Sequence, residues 1–151
     1  KITITDPEMT RFSITMDDAL DFILDSTKIG EGSEIFVPKL RTYSIMDVKD
    51  VLFELIDNVE EEYVGIRPGE KLHEILINLD EMRYTFELDN KYVIHKSSKI
   101  ENNDIEKNEK MKKVDGSQPY SSDLTEKIPK NELKIILKNF LTNYKEQDLK
   151  K

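Results

Sequence analysis

The chain has no cysteine and no tryptophan among its 151 residues, only two histidines, and five each of glycine and proline. Without cysteine there is no disulfide, no thiol nucleophile and no thiolate to hold zinc. The same absence fits a reducing compartment. No apolar run approaches the ~20 residues needed to cross a bilayer. The opening Lys1-Ile2-Thr3-Ile4 has no signal-peptide shape. The expectation is therefore a cytoplasmic protein with no membrane partner. The first residue is not methionine, so the chain is expected to begin inside a longer polypeptide or after processing. Basic residues are in deficit, 23 against 31 acidic, for a formal net charge of -8. That balance excludes wrapping a nucleic acid backbone. A small anion needs only local basic residues and is not excluded.

What is present is a soluble, globular composition, 37% hydrophobic and 36% charged. The length is about one domain. Ile2 and Ile4 alternate with polar neighbours and predict a short strand, broken at Asp6-Pro7. Met16, Ala19, Leu20, Ile23 and Leu24 keep helical spacing behind a Thr15/Asp18 capping pair. Ile35-Phe36-Val37-Pro38 predicts a strand closed by proline. Ser44 and Asp47 cap a second helix with Ile45, Val48, Leu52, Leu55, Ile56 and Val59 on its apolar face. Glu60-Glu61-Glu62 is expected in a solvated turn, and Tyr63-Val64-Gly65-Ile66 as a strand. Arg67-Pro68-Gly69-Glu70 reads as a turn. A short helix is expected from Leu72, Ile75, Leu76 and Leu79, and a last strand at Tyr92-Val93-Ile94. A final amphipathic helix carries Leu133, Ile136, Leu137, Phe140, Leu141 and Tyr144.

Helices alternate with three or four short strands, so the class is α/β, a small lobe that packs on something else. The expected division is a ligand-binding lobe at 1–96, an extended or mobile segment at 97–123 and a carboxy-terminal helix at 124–151.

Several motifs fail on spacing. Gly30 and Gly32 supply two glycines of a dinucleotide loop, but the third position is Ile35 and a helix precedes the pair. Tyr92 and Lys96 have Tyr-x-x-x-Lys spacing, but β-forming residues lie between them. On a strand four residues span about 13 Å, too far for a lysine to tune a tyrosine. His73-Glu74 opens a zinc-protease motif whose second histidine would be Ile77. No catalytic residue, metal ligand or cofactor-binding residue is assigned.

Two segments carry information: residues 5–19, containing Thr5-Asp6-Pro7-Glu8-Met9-Thr10-Arg11-Phe12, and residues 65–74, Gly-Ile-Arg-Pro-Gly-Glu-Lys-Leu-His-Glu. Each is expected to place one arginine, Arg11 or Arg67, in a loop just before a helix. An arginine fork matches phosphate oxygens, and a helix start adds unpaired amides. Glu70 is placed to accept from sugar hydroxyls. A structural reading stands beside this one: Arg11 paired with Asp6 or Glu8, Arg67 exposed in a turn, and Glu70 a capping acid.

These segments, with Gly32-Ser33-Glu34-Ile35-Phe36-Val37-Pro38-Lys39 between them, resemble the UDP-N-acetylglucosamine 4,6-dehydratases of polysaccharide biosynthesis, in the extended short-chain dehydrogenase/reductase family. The match is close from Ile2 to about Ile94 and loose beyond. The resemblance implies the substrate-binding lobe of an extended Rossmann-type enzyme, a lyase. Such an enzyme oxidises the sugar at carbon 4 with NADP, loses water across carbons 5 and 6 and returns hydride to carbon 6. Some members also invert carbon 5. It implies Arg11 and Arg67 as diphosphate ligands, Glu70 as the ribose ligand, and Met9 and Thr10 lining the nucleotide pocket. It also implies that NADP and the catalytic Tyr and Lys belong to an amino-terminal Rossmann domain, so that this portion is inactive alone. A homo-oligomer is expected of the complete protein, and some of the apolar faces are expected at the interlobe surface. Ser13 departs from the aromatic residue usual after Phe in these proteins. The alternative is a non-catalytic nucleotide-sugar-binding or interaction module.

Overall fold

A computed structural model of the chain describes residues 1–96 and 110–148, with side chains through residue 142. Among the described residues there are four helices and ten strands of two to four residues. The class is α/β, as the sequence indicates, with strands shorter and more numerous than the hydrophobic runs suggest. The described residues fall into two compact units, each assembled from separated stretches of chain.

The first unit gathers Lys1–Phe12, Arg41–Glu74 and the chain from Thr125. Strand β1 (Ile2–Ile4) pairs in parallel with β5 (Glu61–Tyr63), Ile2 opposite Glu61. The acidic run is thus partly strand rather than a solvated turn, and the strand expected over residues 63–66 lies upstream, ending at Tyr63. Ladder bonds come from the backbone, so two glutamates fit an exposed edge with both side chains in water. Strand β2 (Thr10–Phe12) pairs antiparallel with β4 (Thr42–Ser44), Arg11 opposite Tyr43. Helix α2 (Ile45–Leu55) follows at once, with Ser44 accepting from the Asp47 amide as the capping pair predicts.

Helix α4 (Lys130–Asp148) packs on α2. Val51, Ile128 and Leu133 form the buried centre, with Tyr43, Val48, Leu55 and Leu137 against it. Ile136 and Phe140 of α4 stay exposed, and the Tyr144 side chain lies outside the described residues. Three ion pairs fix the register: Lys130–Asp50 at 2.9 Å, Lys134–Glu54 at 2.7 Å and a two-armed Arg41–Glu132. Thr42, fully buried, accepts from Ile128 at 2.7 Å and donates to Glu126 at 3.0 Å through its backbone.

The second unit gathers Ser13–Leu40 and Ile75–Leu124. Its sheet runs β3 (Ile35–Pro38), β8 (Lys91–Ile94), β7 (Thr85–Leu88), β9 (Lys112–Lys113), all antiparallel. Tyr92 therefore sits on a strand, as its neighbours predict. A separate pair joins β6 (Ile75–Ile77) to β10 (Tyr120–Ser121). The helix expected from Leu72 to Leu79 is thus strand β6 followed by one turn, α3 (Leu79–Met82). Burial explains the difference. Ile77, outside the helical set, is fully buried, while Ile75 and Leu76 face solvent. Of the 97–123 stretch, residues 97–109 lie outside the described residues, and the remainder supplies β9 and β10.

Helix α1 (Met16–Ile29) starts where predicted, with Thr15 accepting from the Asp18 amide at 3.1 Å. It ends against β3, where a Cβ on Gly30 would meet the Phe36 ring at 3.3 Å. Lys91 reaches over the Phe22 ring, its Nζ 5.5 Å from the centroid. The stripe that the periodicity marks is nevertheless open: Leu20, Ile23 and Leu24 are 51%, 55% and 59% exposed. Among the described residues, no helix is long and apolar enough to cross a membrane.

Two expectations follow. Val51→Ala removes two methyl groups from a fully buried site, costing about 2 kcal/mol at ~0.8 kcal/mol per methylene plus a small cavity penalty. A urea midpoint lowered at unchanged slope is the expected result. The Lys130 bond holds the Asp50 carboxyl below its ordinary value of 3.8, while Lys134 does the same for Glu54 below 4.5. Arg41 likewise depresses Glu132. Depressed carboxylates stabilise fully above their unfolded pKa and lose that contribution as pH falls through the folded one. The midpoint is therefore expected to fall between about pH 5 and 3. The Asp50→Asn/Glu54→Gln/Glu132→Gln variant should show a flatter fall over the same range.

Candidate functional site

The Arg-Pro-Gly-Glu sequence at 67–70 folds into a tight turn closed by the Glu70 amide donating to the Arg67 carbonyl at 3.0 Å. Pro68 pre-sets the first central position, and Gly69 takes φ +85°, the left-handed value that the second central position of a type II turn demands. The turn folds Glu70 back so that its Oε2 accepts from the Arg67 amide at 3.2 Å. Among the described residues, the Arg67 side chain makes no ion pair, and it stands in solvent. No helix follows this turn, so the helix-start contribution expected at Arg67 and Glu70 is absent.

Arg11 is placed differently from the expectation too. It lies on β2, not in a loop before a helix, because Thr10 and Phe12 are strand-forming neighbours and β4 is there to pair with them. Its side chain is 17% exposed and well engaged. Nη1 donates to the Thr10 carbonyl at 2.7 Å and the Leu72 carbonyl at 3.1 Å, while Nη2 lies 2.8 Å from the Met9 sulfur. Two carboxylates stand just beyond hydrogen-bond reach, Glu70 at 3.9 Å from Nη2 and Glu74 at 3.7 Å from Nε. Asp6, the partner weighed from sequence, instead accepts from the Glu8 amide at 2.8 Å.

Residues 72–74 close the site. The Leu72 carbonyl accepts from the Thr10 amide at 3.2 Å. His73 Nδ1 and Thr10 Oγ1 are 2.9 Å apart. Glu74 Oε2 accepts from the Phe12 amide at 3.1 Å. Met9 and Thr10 are both buried, and the Met9 carbonyl accepts from the Ile45 amide at 3.0 Å, tying the site to the start of α2. Burial pushes the Tyr43 phenol above its ordinary value, Glu74 adds to this, and Arg11 opposes it.

Of the five residues singled out from sequence, Met9, Thr10, Arg11 and Glu70 come together around one guanidinium. Arg67 shares the turn with Glu70, and its side chain is exposed. Sequence reasoning missed His73 and Glu74 as parts of this cluster. The signal available was that both close the ten-residue stretch at 65–74, but nothing local says that a side chain there reaches back 62 residues to Phe12. Among the described residues, no group of three or more His, Asp and Glu could hold a metal.

Comparison with known proteins bears on the same segments. The sequence pattern of the family described as polysaccharide biosynthesis protein matches residues 1–96. The UDP-N-acetylglucosamine 4,6-dehydratase (inverting) of Campylobacter jejuni subsp. jejuni serotype O:2 is 40% identical over 128 residues, covering 82% of this chain and 37% of its own. The UDP-glucose 4-epimerase of Rickettsia massiliae is 30% identical over 151 residues, covering 99% of this chain and 44% of its own. Among solved structures, Pen from Bacillus thuringiensis superposes with a TM-score of 0.76 at 31% identity, over 91% of this chain and 39% of its own. The chain thus spans about two-fifths of the length of these relatives. The match over residues 1–96 takes in both β2 with its arginine and the whole turn at 65–74, and by it this chain belongs to the polysaccharide biosynthesis protein family.

Proposed function

We propose that this chain is the substrate-binding lobe of a UDP-N-acetylglucosamine 4,6-dehydratase that builds a sugar nucleotide for surface polysaccharide. Arg11 and Arg67 hold the diphosphate, Glu70 holds the ribose, and Met9 and Thr10 shape the floor beneath them. The observation that carries this reading is the convergence of Met9, Thr10, Arg11 and Glu70 beside the Arg67 turn. The two arginines divide the work. Arg67, exposed, is free to meet an incoming anion. Arg11 is already oriented by two carbonyls, so little side-chain entropy remains to be lost when a phosphate docks beside it. The 3.9 Å separation from Glu70 is too long for a hydrogen bond, which leaves that carboxylate able to turn to a sugar hydroxyl.

A diphosphate does not react in such an enzyme; it is a handle. Binding energy gathered there positions the hexose for chemistry at its carbons 4, 5 and 6. No residue of this chain is assigned to NADP, and no step of the chemistry is assigned to it. Cofactor and catalytic groups belong, on this reading, to a cytoplasmic Rossmann domain of the same enzyme. The open apolar stripe of α1 supports that docking, since 51–59% exposure of three aliphatic side chains leaves surface for another domain to cover.

The test is calorimetric titration of the complete protein with UDP-N-acetylglucosamine, UDP and uridine. UDP is expected to bind and uridine not. Arg67→Ala and Arg11→Ala should each weaken UDP by about ten- to a hundredfold, as charge-assisted hydrogen bonds of ~1.5–3 kcal/mol require. Equal affinity for UDP and uridine, or for wild type and both variants, overturns the diphosphate clamp.

A further inference from the structure

Strand β2 has two edges. Arg11 faces Tyr43 of β4 along one of them. On the other edge the amides of Thr10 and Phe12 point the same way, because backbone groups two residues apart share a direction on a strand. The Leu72 carbonyl takes the first at 3.2 Å, and a side chain, the Glu74 carboxylate, takes the second at 3.1 Å. Residues 72–74 therefore stand in for a third strand, with Glu74 replacing a missing carbonyl. Arg11 lies between these two anchor points, and the other Glu74 oxygen is 3.7 Å from its Nε.

We propose that Glu74 is a positioning residue for Arg11, holding the backbone beside it and the Nε side of its guanidinium while touching no ligand itself. The inference rests on reading Arg11 as a diphosphate ligand. Its ground is the division of labour between two carboxylates. Glu70 sits on the turn with Arg67 and is assigned to the ribose. When Glu70 turns to the sugar, Glu74 remains as the counter-charge of a guanidinium that is largely out of solvent. The opposite sign is a real competitor. A carboxylate near a diphosphate repels it, so a Glu74 that acted only as a bystander charge would weaken nucleotide binding, and neutralising it would tighten binding.

The experiment is a double-mutant cycle on the complete protein with UDP as the probe. Glu74→Gln keeps an acceptor for the Phe12 amide and removes the charge facing Arg11; Glu74→Ala removes both. Glu74→Gln is expected to weaken UDP about fivefold and Glu74→Ala more, with the Glu74→Gln effect shrinking to less than about twofold in an Arg11→Ala background, as coupled neighbours behave. Tighter binding by Glu74→Gln, or an equal loss with and without Arg11, overturns the proposal. A second readout needs no ligand: the Arg11 side-chain Nε–H resonance should shift and exchange faster in Glu74→Gln. If wild type fails to bind UDP, the clamp reading falls, and this resonance alone decides on Glu74: a shift upholds the positioning role, and an unchanged signal ends it.

Discussion

The outer edge of β2 is the constraint on which the rest of the site depends. A three-residue strand with one bare edge would leave amides unpaired close to buried side chains, a cost that folded chains rarely bear. The remedy is a loop rather than a strand. The Leu72 carbonyl and the Glu74 carboxylate fill the edge, and the loop that carries them also carries the Arg67–Glu70 turn. Satisfying the backbone of β2 and bringing the second half of the site to the first are one act. Met9, whose carbonyl receives the Ile45 amide, passes the same alignment on to α2.

The two arginines show how one residue type serves two ends. Arg11 spends its donors on two carbonyls and a thioether sulfur and faces two carboxylates at distances too long for hydrogen bonds. A lysine has one charged centre and could not span those acceptors at once. Arg67 makes no ion pair among the described residues and keeps its charge in water. The first is a fixed fork and the second a reaching one. The strain-free type II turn, with Pro68 and Gly69 in their preferred positions, keeps the reaching arginine on a rigid base.

Local chemistry was the legible part of the fold. Thr15 with Asp18 and Ser44 with Asp47 marked two helix starts because capping is settled within four residues. Pairings across the chain were not legible. Ile75 and Leu76 fall at helical spacing from Leu72 and Leu79, yet the segment is a strand because a partner at Tyr120 and Ser121 exists to receive it. Glu61 and Glu62 looked like solvated turn residues, and only the pairing with β1 makes them strand. Thr85–Leu88 carried too short a run to be marked at all, though Thr85 and Phe86 are buried. In the site, Arg11, Arg67 and Glu70 were singled out by residue type and by resemblance, while His73 and Glu74 were passed over because their partners lie some 60 residues upstream.

Each compact unit is stitched from distant stretches, so the chain passes from one to the other and back more than once before it ends. The centre of the first unit shows what this asks of a growing polypeptide. Val51 emerges well before Leu133, the α4 residue that buries it, and the ion pair beside them joins residues 80 positions apart. At a synthesis rate of ~5–20 residues per second, the apolar face of α2 waits several seconds for its cover. During that interval strand β2 rests on a half-built neighbour. Completion of the site is thereby tied to the arrival of α4: a ribosome that stops short of it releases a chain holding every residue of the arginine cluster and lacking the packing that steadies it.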